Sequence, residues 1–159
     1  MKIISLNLNG IRAAHRKGFL DWVYKEKPDV ICFQETKAQT HQLSEELLKP
    51  NSYYAYFNDA EKKGYSGVAV YSRHEPDRIN QSLGWEHADN EGRYIQLDFA
   101  NLSIVSLYMP SGSSSEERQV IKFDFMDKFM PILKKMRRQR RDYIICGDWN
   151  IAHKQVDLK

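Results

Sequence analysis

Short apolar runs rich in Ile, Val, Tyr and Phe recur along the chain, at residues 3–6, 30–33, 53–57, 67–71, 94–99, 102–107 and 143–146. Their length and β-branching predict strands rather than helices. Val30-Ile31-Cys32-Phe33 and Tyr143-Ile144-Ile145-Cys146 are apolar at every position, which predicts strands covered on both faces. Asp98-Phe99-Ala100-Asn101-Leu102 reads as a hairpin joining two of the runs. Three segments carry helical spacing. Residues 19–26 place Phe19, Trp22 and Val23 on one face and stop before Pro28. Residues 41–49 carry Leu43, Leu47 and Leu48 and end before Pro50. The longest opens on Ser114-Ser115-Glu116-Glu117, a capping-box pattern with a Ser and a Glu three apart. Ile121, Phe125, Phe129, Ile132, Leu133 and Met136 come after it at helical spacing, and Pro131 predicts a kink or a split. This mixed order predicts a layered α/β domain, and the strand-rich stretch 53–107 predicts a partly antiparallel sheet.

The polar residues at the ends of the apolar runs are more informative. Residues 3–6 lead into Asn7-Leu8-Asn9-Gly10, and residues 30–33 into Gln34-Glu35-Thr36-Lys37. Residues 104–107 lead into Tyr108-Met109-Pro110-Ser111-Gly112, and residues 143–146 into Gly147-Asp148-Trp149-Asn150. Strand ends in a layered α/β domain converge on one rim, where ligands bind. Convergence of these four would assemble Asn7, Asn9, Glu35, Tyr108, Asp148 and Asn150.

That set is rich in hard oxygen donors and holds no Cys or His, which suits Mg²⁺ or Mn²⁺ rather than zinc. A divalent ion on one or two carboxylates would neutralise charge on a phosphoryl transition state and acidify a water. Asn amides would bind phosphate oxygens, and a second carboxylate would orient or deprotonate the water. The set therefore points to metal-assisted phosphodiester hydrolysis. Each member taken singly also has a structural reading: Asn7, Asn9, Asn150 and Gly147-Asp148 as turn residues, Glu35 as a solvated strand end paired with Lys37, and Tyr108 as a core tyrosine. Neither G-x-G-x-x-G nor G-x-x-x-x-G-K-[ST] occurs, so a nucleotide-binding loop is not indicated.

Composition narrows the class. The 159 residues are 42% hydrophobic and 28% charged, too apolar for a disordered tail and long enough for one domain with a core. The net charge of +3 does not by itself indicate a polyanion partner. The run 134–141, Lys-Lys-Met-Arg-Arg-Gln-Arg-Arg, sits where cations complement a helix C-terminus. Arg12, His15, Arg16 and Lys17, with His153 and Lys154, lie nearer the expected rim and are better placed to contact backbone phosphates. Cys32 and Cys146 read as buried free thiols in a reducing compartment. No apolar run reaches about 18 residues and the start has no signal-peptide core, so a cytoplasmic, non-membrane protein is expected.

The motifs match a known family. Ser5-Leu6-Asn7-Leu8-Asn9-Gly10-Ile11-Arg12-Ala13 resembles the opening motif of the exonuclease III class of AP endonucleases, in the endonuclease/exonuclease/phosphatase superfamily. Pro28-Asp29-Val30-Ile31-Cys32-Phe33-Gln34-Glu35-Thr36-Lys37 is similar to the second. Residues 64–70, Glu91-Gly92-Arg93, Leu107-Tyr108-Met109-Pro110-Ser111-Gly112 and Cys146-Gly147-Asp148-Trp149-Asn150-Ile151-Ala152-His153 come next, in family order. The resemblance implies a DNase I-like, four-layered α/β sandwich and Mg²⁺-dependent hydrolysis of double-stranded DNA. The activities implied are 3′→5′ exonuclease action at 3′ ends and cleavage at abasic sites in base-excision repair. It makes Asn7, Glu35, Asp148 and Asn150 metal or phosphate contacts, with Tyr108, Asp148 and Asn150 catalytic; Asn9, Arg12 and His153, by their place near the rim, are expected on the DNA. Leu6 stands where relatives often have Trp, and Asn9 where they often have Asp. The family supplies a further Asp and a closing Asp-His pair from a later half, and no Asp-His occurs here. The chain is therefore expected to be the N-terminal part of one domain, needing a C-terminal half to complete the sandwich. The sequence leaves open an RNA phosphodiesterase or an inert nucleic-acid-binding fragment.

Overall fold

The computed structural model describes residues 1–113, 115–152 and 154–157. Eight strands form two sheets of four. The first contains β1 (Ile3–Asn7), β2 (Val30–Gln34), β3 (Tyr54–Asn58) and β4 (Val68–Ser72), in the order β1-β2-β4-β3. The second contains β5 (Arg78–Asn80), β6 (Tyr94–Phe99), β7 (Leu102–Tyr108) and β8 (Asp142–Asp148), in sequence order. In each sheet one pair is parallel, β1 with β2 and β7 with β8, and the remaining pairs are antiparallel. The parallel pairs need crossovers, and helices supply them. Helices α1 (Ile11–Arg16) and α2 (Phe19–Glu26) carry the chain from β1 to β2. Helix α3 (Glu45–Leu48) follows β2, α4 (Glu86–Asn90) precedes β6, and α5 (Glu116–Arg137) joins β7 to β8.

Alternation along the strands builds three apolar layers. Ile31 and Phe33 of β2 point to one face, where they meet Ile11, Phe19, Leu20 and Val23 of the helices. Val30 and Cys32 point to the other and pack with Val68, Val70, Ile95, Leu97 and Ile104 between the sheets. Tyr94, Val105 and Leu107 leave the far side of the second sheet against Phe125, Phe129 and Met136 of α5. The order helix, sheet, sheet, helix is the four-layered arrangement expected. β2 and β4 are buried at every residue because both faces are covered. Ala100 and Asn101 make the turn of the expected hairpin, since Phe99 pairs with Leu102.

Four expectations need correction. β8 is not covered throughout: Asp142 and Ile144 are exposed and the other residues only half-buried, because β8 is an edge strand. Of the kink or split expected at Pro131 the split does not occur: the residue lies inside the span of α5 on the exposed side, where water can take the carbonyl that loses its partner. Residues 41–49 form no single helix: a turn of 3₁₀ helix at Thr40–Gln42 is separated from α3 by extended Leu43 and Ser44, the latter at the helix cap. The cap of α5 is Ser115, whose Oγ accepts from the Arg118 N–H at 3.2 Å, while Ser114 lies outside the described residues. Helices α1 and α4 and strand β5 are too short to show a period in the sequence.

Phe125 is fully buried between Trp85, at a centroid separation of 5.3 Å, and Phe129, at 5.9 Å. Phe125→Ala is expected to cost about 3–5 kcal/mol. Urea unfolding would show it as a lowered midpoint with an unchanged slope.

Candidate active site

The two parallel pairs run the same way out of the sandwich, so their C-terminal ends meet. Register pairs Asn7 with Gln34 in one sheet and Tyr108 with Asp148 in the other. The Asn7 amide spans the gap: its Nδ2 donates to Glu35 Oε1 at 2.9 Å and to Asp148 Oδ2 at 2.9 Å. The Tyr108 phenol lies beside the Glu35 carboxylate, close enough for the two groups to shift each other's titration. Lys37 Nζ lies 2.5 Å from Glu35 Oε2 and 2.6 Å from Asn9 Oδ1. Asn7 Oδ1 accepts the Asn9 N–H at 2.9 Å.

The loops that aim these groups are held by backbone bonds. Asn9, Glu35, Lys37 and Asn150 have φ of 46°, 55°, 48° and 48°, a left-handed conformation that costs energy for a residue with a Cβ. For the loop after β2 the compensation comes from both sides. Gly10 N–H donates to Glu35 O at 2.8 Å and Ile11 N–H to Thr36 O at 2.9 Å. From across the sheet, Thr36 N–H reaches Gly67 O at 3.1 Å and Lys37 N–H reaches Ser66 O at 2.9 Å. Gly67 (φ 85°) is required there, since a Cβ would fall 2.2 Å from Thr36 Oγ1.

Partial burial works against the Glu35 charge, but hydrogen bonds from Lys37, Asn7 and Tyr108 outweigh it and hold the carboxyl below its usual range. Burial, and then the bond to Glu35, push the Tyr108 phenol well above its usual value, so it stays protonated as a donor. A ligand anion would thus meet a phenol donor, an amide and an ammonium beside two carboxylates. Glu35 and Asp148 supply hard carboxylate oxygens. The Lys37 ammonium already occupies a cation position on Glu35.

Asn7, Glu35, Tyr108 and Asp148 therefore come together as the strand ends suggested. Asn9 joins them through Lys37. Asn150 reaches Asp148 by its backbone, with N–H to Oδ1 at 3.1 Å, but its side chain turns to Met109 O at 2.7 Å. Lys122 of α5 holds the Asn150 carbonyl at 2.6 Å. Arg12 is exposed on α1 beside this rim. His153 lies outside the described residues. The basic run 134–141 ends at the opposite end of β8, about 20 Å from Asp148 at ~3.3 Å per residue. Its Arg141 is engaged with Ser103 Oγ at 2.6 Å, Ala100 O at 2.6 Å and Leu102 O at 3.1 Å.

Residues 4–159 match the model of the endonuclease/exonuclease/phosphatase family. The chain belongs to this family. It is 41% identical over 160 residues to the exodeoxyribonuclease of Bacillus subtilis, covering all of this chain and 62% of that protein. To the DNA repair nuclease APEX1 of Danio rerio it is 37% identical, covering 52% of it. An AP endonuclease structure from Archaeoglobus fulgidus superposes with a TM-score of 0.85 at 29% identity, over all of this chain and 61% of the other. The chain thus spans between half and two thirds of the length of these relatives.

Sequence reasoning missed the residues that brace this rim. Arg93, Glu91, Tyr65 and Arg118 form a polar cluster behind Tyr108. Glu91 and Arg93 belong to one of the family motifs, but nothing in Glu-Gly-Arg indicates burial. Gln34, whose buried Nε2 donates to Ser106 Oγ of the other sheet at 3.0 Å, carries no mark of that bridge, because a polar residue after an apolar run reads as a strand end. Lys37 alone among these supporting residues is legible in the sequence, as the partner of Glu35.

Because the folded Glu35 carboxyl is more acidic than the unfolded one, its contribution to stability is present above about pH 4.3 and lost as pH falls through the folded value. Thermal melts from pH 7 to pH 2.5 should therefore show the wild type and Glu35→Gln converging in acid. Parallel profiles would count against the charged, paired state of Glu35.

Proposed function

We propose that this chain is the N-terminal part of a metal-dependent DNA phosphodiesterase, a 3′→5′ exonuclease and AP endonuclease of base-excision repair. The reading is carried by one observation: a single amide, that of Asn7, bridges Glu35 and Asp148 from two different sheets at 2.9 Å each. Two carboxylates, a protonated phenol and amide donors at one rim are what metal-assisted hydrolysis of a phosphodiester requires. The names of the relatives, an exodeoxyribonuclease, a DNA repair nuclease and an AP endonuclease, support DNA as substrate.

Glu35 would hold Mg²⁺, or Mn²⁺, with Asp148 in reach and Lys37 moved aside. The ion supplies charge neutralisation at the phosphate. Asp148 accepts a proton from the attacking water and, through the Asn7 amide, is kept at a fixed distance from Glu35. Tyr108 donates its hydroxyl hydrogen to a phosphate oxygen, a role for which its raised pKa suits it. Asn7 keeps both amide N–H groups on the two carboxylates, and Asn150, whose amide has one N–H beyond its bond to Met109 O, adds a neutral donor near the phosphate. Asn9, Arg12 and His153 would meet the flanking backbone of duplex DNA near abasic sites and 3′ ends. The edges of β1 and β8 lie side by side at the end of each sheet order, where the rest of the domain would dock.

Two measurements test this. Calorimetric titration of the chain with Mg²⁺ should show saturable binding, weakened at least tenfold by Glu35→Ala; equal binding by both rejects the metal role. The full-length protein should nick a duplex carrying one abasic analogue in preference to an intact duplex or an RNA hairpin. Asp148→Asn should lower that rate by roughly 100-fold or more. An unaltered rate removes Asp148 from the mechanism, and no cleavage by the parent leaves a nucleic-acid-binding module.

A further inference from the structure

One buried cation grips Tyr108 at three points. Arg93 precedes β6 and is only 2% exposed. Its carbonyl oxygen accepts the Tyr108 N–H at 2.9 Å, and its Nη1 donates to the Tyr108 carbonyl at 3.0 Å. Its guanidinium carbon also lies 4.8 Å from the centroid of the Tyr108 ring, within cation–π range. The backbone and the ring of Tyr108 are thus fixed by the same residue, while the hydroxyl at the far end of the ring faces the Glu35 carboxylate.

Arg93 is itself held rigidly. Glu91 Oε2 accepts from Nε at 2.6 Å, and the Tyr65 hydroxyl accepts from Nη2 at 3.0 Å. Arg118, from α5, donates to the same hydroxyl at 2.9 Å and lies 3.8 Å from Glu91 Oε1. Gly92 allows the approach: with φ 57°, it packs so closely that a Cβ would lie 2.5 Å from Asn58 O. A guanidinium so deeply buried costs free energy unless its fork is matched, and here it meets a carboxylate, a carbonyl, a phenol and an aromatic face. An ion pair with Glu91 alone would need none of the contacts to Tyr108.

We propose that Arg93 is a positioning residue for Tyr108, setting the backbone and ring so that the hydroxyl faces the rim that carries Glu35. Its value for catalysis rests on Tyr108 and Glu35 acting together as proposed above, whereas the positioning itself can be tested without DNA or turnover.

The test is a double-mutant cycle on this chain, read by thermal melting at pH 7. Tyr108→Phe deletes the hydroxyl that faces Glu35, and is expected to lower Tm by about 4 °C. In an Arg93→Met background, which has no fork to hold the ring, the same substitution should shift Tm by less than about 1 °C. Arg93→Lys, which keeps a cation over the ring and one donor, should restore part of the Tyr108→Phe shift. Arg93 does not touch the Tyr108 hydroxyl, so an ion pair serving stability alone predicts additive shifts, and equal shifts in the two backgrounds overturn the proposal. Should Arg93→Met fail to melt cooperatively, Tyr65→Phe takes its place, removing one acceptor of Arg93 and keeping the ring. A diminished Tyr108→Phe shift then supports the role and an undiminished one overturns it. Failure of the full-length protein to cleave abasic DNA would reject the functional reading and leave this result standing.

Discussion

The site depends on a polar bridge buried between the sheets. Gln34 is 1% exposed, yet its Nε2 donates to Ser106 Oγ at 3.0 Å and to Cys32 O at 3.3 Å. Ser106 Oγ donates to Phe33 O at 2.9 Å, and Ser5 Oγ donates to Gln34 Oε1 at 3.3 Å. Apolar surfaces slide over one another at little cost, but a buried amide left unpaired costs on the order of 1–3 kcal/mol. The bridge therefore selects one placement of the first sheet on the second. Gln34 immediately precedes Glu35, and Ser106 is one step of the strand period before Tyr108. The placement that satisfies the buried amide also puts Glu35 opposite Tyr108 and Asp148.

Around that fixed point the chain accepts local strain. Asn9, Glu35 and Lys37, three of the four rim residues in the left-handed region, lie in neighbouring loops. The loops bearing them bond to one another and to the Ser66-Gly67 turn, so relaxing one would break bonds in its neighbour. The benefit is electrostatic. Glu35 faces Asn7, Lys37 and Tyr108 at once, which keeps it ionised despite partial burial. Asp148 belongs to the same network without contacting Lys37, so the two carboxylates of the rim are differently paired.

The second sheet contributes stiffness of another kind. Its outer face is covered by α5 through Phe125, Phe129 and Met136, and Trp149, just past β8, packs against Phe129 at 6.2 Å between centroids. The same helix sends Lys122 to the Asn150 carbonyl and Arg118 to Tyr65 and Glu91. Helix packing and the geometry of the rim are therefore linked through short side-chain bonds. On the opposite flank β8 is an edge strand among the described residues, and its residues are exposed or half-buried.

Strand identity was legible because β-branching and run length are local properties: seven of the runs read from the sequence are strands, and the only strand missed among the described residues, β5, has three residues. The polar strand ends could be read for the same reason, and with them Asn7, Glu35, Tyr108 and Asp148 as candidates. Local signals failed where distant contacts decide. Pro131 is tolerated because apolar residues on both sides of it anchor α5 to the sheet, and Tyr143-Ile144-Ile145-Cys146 lies at an edge although it reads as a central strand. The burial of Arg93 and the bridging of Gln34 depend on partners that the neighbouring sequence does not mention. By itself the sequence determined which segments are strands and which chemical groups end them. Only the tertiary structure decided which ends meet, since Asn7 touches partners 28 and 141 residues away, and such contacts follow from the stacking of two sheets, which has no signature in any one segment.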